Sequence, residues 1–145
     1  MSAKVCYYVN MTDQYYLKEA IKVGNEVDAP YNFGAVVVKD GVIISREHGH
    51  VNEKNDPSLH SEVSAIASAC RDLKTTDLSG ATIYCSHEPC VMCFSCANWA
   101  KIKRVVYVTS KEDQKSFMYE FPKINLGALA KEAHYPIKLE QMSTD

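Results

Sequence analysis

The chain has 145 residues, 46% of them hydrophobic and 23% charged, with a formal net charge of −2. That length and mix predict one soluble globular domain spanning residues 1–145, large enough to bury a core without disulfide staples. The small net charge supplies no bulk field toward nucleic acid or an anionic membrane, and no run approaches the roughly 18 apolar residues of a membrane span.

Met1 to Thr12 holds one lysine and no long apolar stretch, so no secretory leader and a cytoplasmic setting are expected. In a reducing compartment the six cysteines (Cys6, Cys70, Cys85, Cys90, Cys93 and Cys96) are expected to bind metal or pack rather than cross-link. Thr12 and Asp13 can cap a helix, which then carries Tyr16, Leu17, Ala20, Ile21 and Val23 at helical spacing and ends by Ala29-Pro30. Phe33 to Val38 is a short β-branched run, hence a buried strand; Asp40-Gly41 turns it into a second strand from Val42 to Ser45. Gly49 to Asp56 is polar and predicts a loop. Asp56-Pro57 predicts a helix start, with Val63, Ile66, Ala67 and Cys70 on the buried side. A third strand is expected at Ala81 to Ser86, a helix from Pro89 to about Ala100, and a fourth strand at Arg104 to Thr109. Leu126 to Glu132 predicts a last helix, and Pro136 to Met142 a fifth strand. Helices between strands imply crossovers and parallel pairing. The expected class is α/β: three layers, with a mixed five-stranded sheet between helices.

Two short pieces carry chemistry: His60-Ser61-Glu62, and Pro89-Cys90-Val91-Met92-Cys93. Both fall at predicted helix starts, where outward N–H groups favour a thiolate. Two cysteines separated by two residues can grip one ion across a helical turn, and His60 can add a nitrogen. Three protein ligands leave a tetrahedral zinc with one open position, as in catalytic rather than structural sites. Glu62 is placed to move protons without binding the metal. Cys90-x-x-Cys93 alone also suits a redox pair or half of a zinc knuckle, but His60-x-Glu62 makes those readings secondary. Cys96 continues the spacing and is read as packing, as are Cys6, Cys70 and Cys85. His87 is read as an outer or surface histidine. Lys101, Lys103 and Arg104 are read as a solvated helix end.

His-x-Glu followed by Pro-Cys-x-x-Cys is the signature of zinc deaminases, and the chain resembles the cytidine-deaminase-like superfamily from about Phe33 to Val108. Within it, the likeness is greatest to bacterial guanine deaminases. The residues carrying it are Phe33 to Gly41, Asn55-Asp56-Pro57-Ser58 before His60, Trp99-Ala100, and Ser116-Phe117-Met118-Tyr119. The tRNA adenosine deaminases share Glu88-Pro89-Cys90-Val91-Met92-Cys93. They typically follow the fourth strand with a Gly-Ala-Ala-Gly-Ser-like loop, where this chain has Lys111-Glu112-Asp113-Gln114-Lys115. Two further departures touch substrate reading. The asparagine that the family commonly places eleven residues before the zinc histidine is Gly49 here, flanked by His48 and His50. Acidic positions before the Ser-Phe-x-Tyr stretch are Gln114 and Lys115.

The resemblance implies Zn2+ as cofactor, held by His60, Cys90 and Cys93, with Glu62 catalytic. It implies hydrolytic loss of ammonia from a small aminated heterocycle, a free purine base such as guanine first. The alternatives are adenosine in tRNA, cytosine or another small aminoheterocycle, and a non-catalytic zinc-bearing binding protein, against which an intact Glu62 argues. Ser61 and Glu88 are expected beside the substrate. Phe33 and Trp99 are candidates to stack on it, with core packing as the competing reading for both. A homodimer is the expected assembly, exchange of its C-terminal segment being left open.

Overall fold

The structure is a computed structural model and describes residues 11–113 and 118–145. Cys6, Gln114, Lys115, Ser116 and Phe117 lie outside them. The elements in chain order are helix α1 (Asp13–Gly24), strands β1 (Gly34–Lys39) and β2 (Val42–His48), helices α2 (Val51–Lys54) and α3 (Ser61–Leu73), strand β3 (Thr82–His87), helix α4 (Val91–Trp99), strand β4 (Arg104–Thr109), a 3-10 turn (Lys111–Asp113), helix α5 (Leu126–Glu132) and strand β5 (Lys138–Gln141). The strands form one sheet in the order β2-β1-β3-β4-β5. β1 is antiparallel to β2 and β3, while β3, β4 and β5 run parallel, as the crossover helices require.

Alternation along the central strands sorts side chains into two layers. Val36, Val38, Tyr84 and Val106 pack with Tyr16, Leu17 and Ala20 of α1 on one face. Ala35, Val37, Ile83, Cys85, Val105 and Tyr107 pack on the other with Ala65, Ile66 and Ala69 of α3, Phe94 and Ala97 of α4, and Leu126 of α5. Cys85 is wholly buried there, and Cys70 and Cys96 pack against the same cluster. The β1–β2 hairpin turns at Asp40 (φ 51°) and Gly41 (φ 75°), the two positive φ values that suit a tight hairpin.

Thr12 does cap α1, its hydroxyl accepting from the Tyr15 amide at 3.3 Å. The helix stops at Gly24, earlier than Ala29-Pro30, because there it meets β1. A Cβ on Gly34 would lie 2.0 Å from the Ala20 carbonyl oxygen, and one on Gly24 2.7 Å from that of Asn32. The two backbones touch, and only glycine fits either side.

Three expectations are corrected. The polar stretch after Gly49 contains a short helix, α2, which buries no residue and therefore leaves no apolar pattern. Asp56-Pro57 does not start α3. Asp56 instead accepts from the Ser58 amide (2.9 Å) and hydroxyl (2.6 Å), closing a turn, and the helix begins at Ser61 with His60 at its N-cap. The buried side of α3 runs through Ser61, Glu62, Ser64, Ala65, Ile66 and Ala69, leaving Val63, Ala67 and Cys70 only partly buried. Polar side chains buried at the site hid that face from a hydrophobicity pattern. Among the described residues, no helix is long and apolar enough to cross a membrane.

Candidate active site

Two helix starts supply the chemistry. His60 has the extended backbone of an N-cap (φ −60°, ψ 161°), but its side chain makes no cap hydrogen bond, so the ring is free to turn elsewhere. Its carbonyl accepts the first helical bond, from the Ser64 amide at 2.9 Å. Cys90 stands likewise at the N-cap of α4, where β3 has just ended, and Cys93 follows one turn in. The approach to Cys90 is anchored: the Glu88 amide donates to the Thr109 carbonyl (2.8 Å), and Tyr119 Oη donates to the Glu88 carbonyl (2.8 Å).

These anchors bring the predicted ligands together. His60 Nδ1 lies 3.5 Å from Cys90 Sγ, and Cys90 Sγ lies 3.5 Å from Cys93 Sγ. One donor atom from each of the three falls within 4.8 Å of the others. Cys93 Sγ is 3.2 Å from Glu62 Oε2, yet Glu62 is not part of that triad. The electrostatics match a site built for a cation. The hydrogen bond from Cys93 drives the Cys90 thiol down to about 5, and that thiolate in turn raises His60. The same bond and burial push Cys93 up. Burial raises the carboxyl of Glu62, which is 6% exposed, above its ordinary range and so favours its protonated form. One nitrogen and two sulfurs at this spacing fit tetrahedral zinc with one position left open. Cys96 packs against the main core cluster and is not one of the three.

A cavity of about 460 Å³ opens onto these groups. Ser61, Glu88 and Phe33 line it, as expected from the sequence. One Glu88 oxygen accepts from the Lys111 amide at 2.7 Å. The Phe33 ring packs on His87 (centroids 4.2 Å apart), whose Nδ1 accepts from Ser86 Oγ at 2.7 Å. Burial lowers His87 to about 4, so it stays neutral as a support beneath the aromatic wall. Trp99 is not brought to the cavity: it is 79% exposed at the end of α4. Cys93, Phe94 and Ala97 form the inward side of that helix, and two further residues turn Trp99 about 200° away from Ala97. Its stacking role is withdrawn for this cavity. The sequence reasoning passed over Tyr31 and Asn52 and gave no site role to His48, Met118 and Tyr119, all of which also line it. Tyr119 is 9% exposed and packs on Cys90 and Cys93.

The model of the cytidine and deoxycytidylate deaminase zinc-binding region matches residues 10–109. Among curated relatives, a guanine deaminase of Bacillus subtilis is 39% identical over 119 residues, covering 76% of each chain. A tRNA-specific adenosine deaminase of Aquifex aeolicus is 37% identical over 99 residues, 67% of this chain and 66% of the relative, slightly under two thirds of its length. Among solved structures, guanine deaminase from Bacillus subtilis superposes with a TM-score of 0.70 at 36% identity, covering 88% of this chain and 84% of that one. Fold, donor set and these likenesses agree: the chain belongs to the cytidine and deoxycytidylate deaminase zinc-binding family and is a zinc-type hydrolytic nucleobase deaminase.

Proposed function

We propose that the substrate is a free aminated heterocycle, with guanine the first compound to test, and that His60, Cys90 and Cys93 hold the zinc while Glu62 moves protons. One observation carries the substrate class. Glu53 and Glu88 line the cavity with Val27, Tyr31, Phe33, Val51 and Met118, and no lysine or arginine lines it among the described residues. A phosphate group would meet carboxylates there and no lysine or arginine, whereas a flat, uncharged ring would meet apolar and aromatic walls. The 39% identity to a guanine deaminase supports guanine over other bases.

Zinc bound by the triad supplies the Lewis acidity that makes water acidic enough to attack at neutral pH. The chain's own residues do the rest. Phe33 and Tyr31 hold the ring between apolar surfaces, and Glu88 offers its second oxygen to an N–H of the ring. Glu62 takes a proton from the attacking water, passes it to a ring nitrogen, and carries the next proton to the amino group. The C–N bond breaks, ammonia leaves, and the ring carbon keeps the water oxygen as a carbonyl. Burial makes the Glu62 carboxylate a better proton acceptor than an exposed one, which suits its part in that shuttle.

A second reading, adenosine within tRNA, is supported by the 37% identity to a tRNA-specific adenosine deaminase. It requires a basic path for the RNA backbone beside the cavity. Ammonia release by the zinc-loaded protein should be compared for guanine, adenine, cytosine, their nucleosides, and a tRNA anticodon stem-loop. Turnover of a free base, guanine foremost, is expected. Turnover of the stem-loop alone would replace the free-base reading with the tRNA one. A homodimer is also proposed, on the family likeness, and sedimentation equilibrium would establish it.

A further inference from the structure

The cavity wall between β2 and α2 holds a group of side chains that the reaction above does not use. His50 Nδ1 lies 2.8 Å from Glu53 Oε2, and His50 Nε2 lies 2.9 Å from Glu47 Oε2. Carboxylates only accept, so both ring nitrogens donate and His50 is an imidazolium fixed between two acids. The pair of carboxylates raises its pKa accordingly, Glu47 contributing most. The His48 ring packs on this fixed ring, with centroids 4.4 Å apart. His48 Nδ1 lies 2.8 Å from the Gly49 carbonyl oxygen, which also only accepts. Nδ1 therefore carries the proton, and in the neutral ring Nε2 is left with a bare lone pair. His48 lines the cavity, and its Nε2 has no hydrogen-bond partner among the described residues.

Gly49 explains why a histidine can serve here. Its backbone is not in the left-handed region, and an added Cβ would meet only the Leu59 carbonyl oxygen at 3.5 Å and the Ser61 amide at 3.7 Å. The fold does not demand glycine at this position. What the missing side chain does is leave the cavity open beside Ser61, so nothing from position 49 stands between the ring of His48 and a bound molecule.

We propose that His48 is a specificity-determining residue, its Nε2 accepting a hydrogen bond from a ring N–H of the heterocycle. The proposal rests on the free-heterocycle reading and adds the atom that selects among such rings. A ring that presents a lone pair at that point would face another lone pair and be rejected. A ring N–H would gain a partner held in place by two neighbours, the Gly49 carbonyl and the His50 ring.

The test uses zinc-loaded wild type, His48→Phe, which keeps a ring on His50 but no acceptor, and His48→Gln, which restores an acceptor. The free base turned over fastest is compared with derivatives methylated at each ring N–H in turn. In wild type, one methylation should raise KM at least about tenfold, the loss of one well-made hydrogen bond. His48→Phe should raise the parent base's KM by a similar factor, with kcat and zinc content little changed, and should no longer distinguish parent from that derivative. His48→Gln should recover most of the KM. A parent-base KM in His48→Phe within twofold of wild type overturns the proposal while leaving the free-base reading intact. If His48→Phe loses zinc or structure, His48→Gln decides: discrimination lost in a zinc-loaded His48→Gln overturns the proposal, and discrimination kept supports it. If wild type turns over no free base, the underlying reading fails first and this proposal fails with it.

Discussion

Two polar clusters sit at opposite ends of β3 and differ in one respect. Arg104, paired with Thr82 at the start of that strand, donates Nη1 and Nη2 to the two oxygens of Asp13 at 2.8 Å and Nε to Glu140. Tyr84 Oη donates to Asp13 at 2.6 Å, and Lys138 pairs with Glu140 at 3.0 Å. Opposite charges and matched donors meet, and the cluster ties α1, β3, β4 and β5 together without needing anything from outside. Past the other end of β3, Cys90, Cys93, His60 and Glu62 touch mainly each other, through sulfur contacts of 3.2–3.5 Å. Among the described residues, their capacity to bind a cation is not met by any lysine or arginine. A closed network is glue, whereas an open one of this donor type is a place for a metal and for chemistry.

That contrast can be broken most severely at the open end. Cys90→Ala should abolish zinc binding and activity together, whereas Cys96→Ala, nearly two turns further along the same helix, should keep about one zinc per chain. Elemental analysis of both variants decides it, and equal loss from Cys96→Ala would mean that the site is closed by a fourth ligand. Glu62→Gln should come next. It should retain zinc but lose turnover by a factor near the upper end of the 100- to 10,000-fold range of general acid–base catalysis. A zinc-loaded variant above about a tenth of the wild-type rate would remove Glu62 from the proton path.

At the closed end the expected effect is smaller and of another kind. Asp13→Asn should lower stability by about 1–2 kcal/mol at neutral pH, between the ranges for exposed and buried ion pairs, with kcat and zinc unchanged. Arg104 holds the Asp13 carboxyl below its ordinary value of 3.8. A lowered folded pKa gives stability that is fully present above the unfolded value and is lost as pH falls through the folded one. The difference between wild type and Asp13→Asn in urea denaturation should therefore be constant from pH 7 to about 5 and close below the ordinary value of 3.8. A difference that persisted in full at pH 2 would detach the stabilisation from this ion pair.

Much of this was legible in the sequence, for identifiable reasons. β4 is a clean β-branched strand, and its expected limits, Arg104 to Thr109, are those observed. His60, Glu62, Cys90 and Cys93 were legible because metal chemistry restricts both residue type and spacing. The cavity wall was legible only in part, at Phe33, Ser61 and Glu88. His48, Tyr31 and Tyr119 come from a strand end, a loop and a segment far downstream, and no periodicity links them. Trp99 misled because a large aromatic close behind the cysteines suggests stacking, while helical geometry turns it outward. Asp56-Pro57 misled because a capping acid and a turn-closing acid look alike until the partner amide is known.

The contact between Gly24 and Gly34 has a consequence for anyone wishing to re-engineer the enzyme. Phe33, the aromatic wall, immediately precedes Gly34, so its position is set by two backbones in contact rather than by adjustable side chains. A mutant library spread evenly over the cavity neighbourhood would waste its members on positions 24 and 34, where any Cβ collides with backbone. The productive diversity lies across the opening, at positions 31, 48, 49 and 52. There Gly49 accepts a Cβ at ordinary contact distances, and new side chains can change what is bound without disturbing the frame.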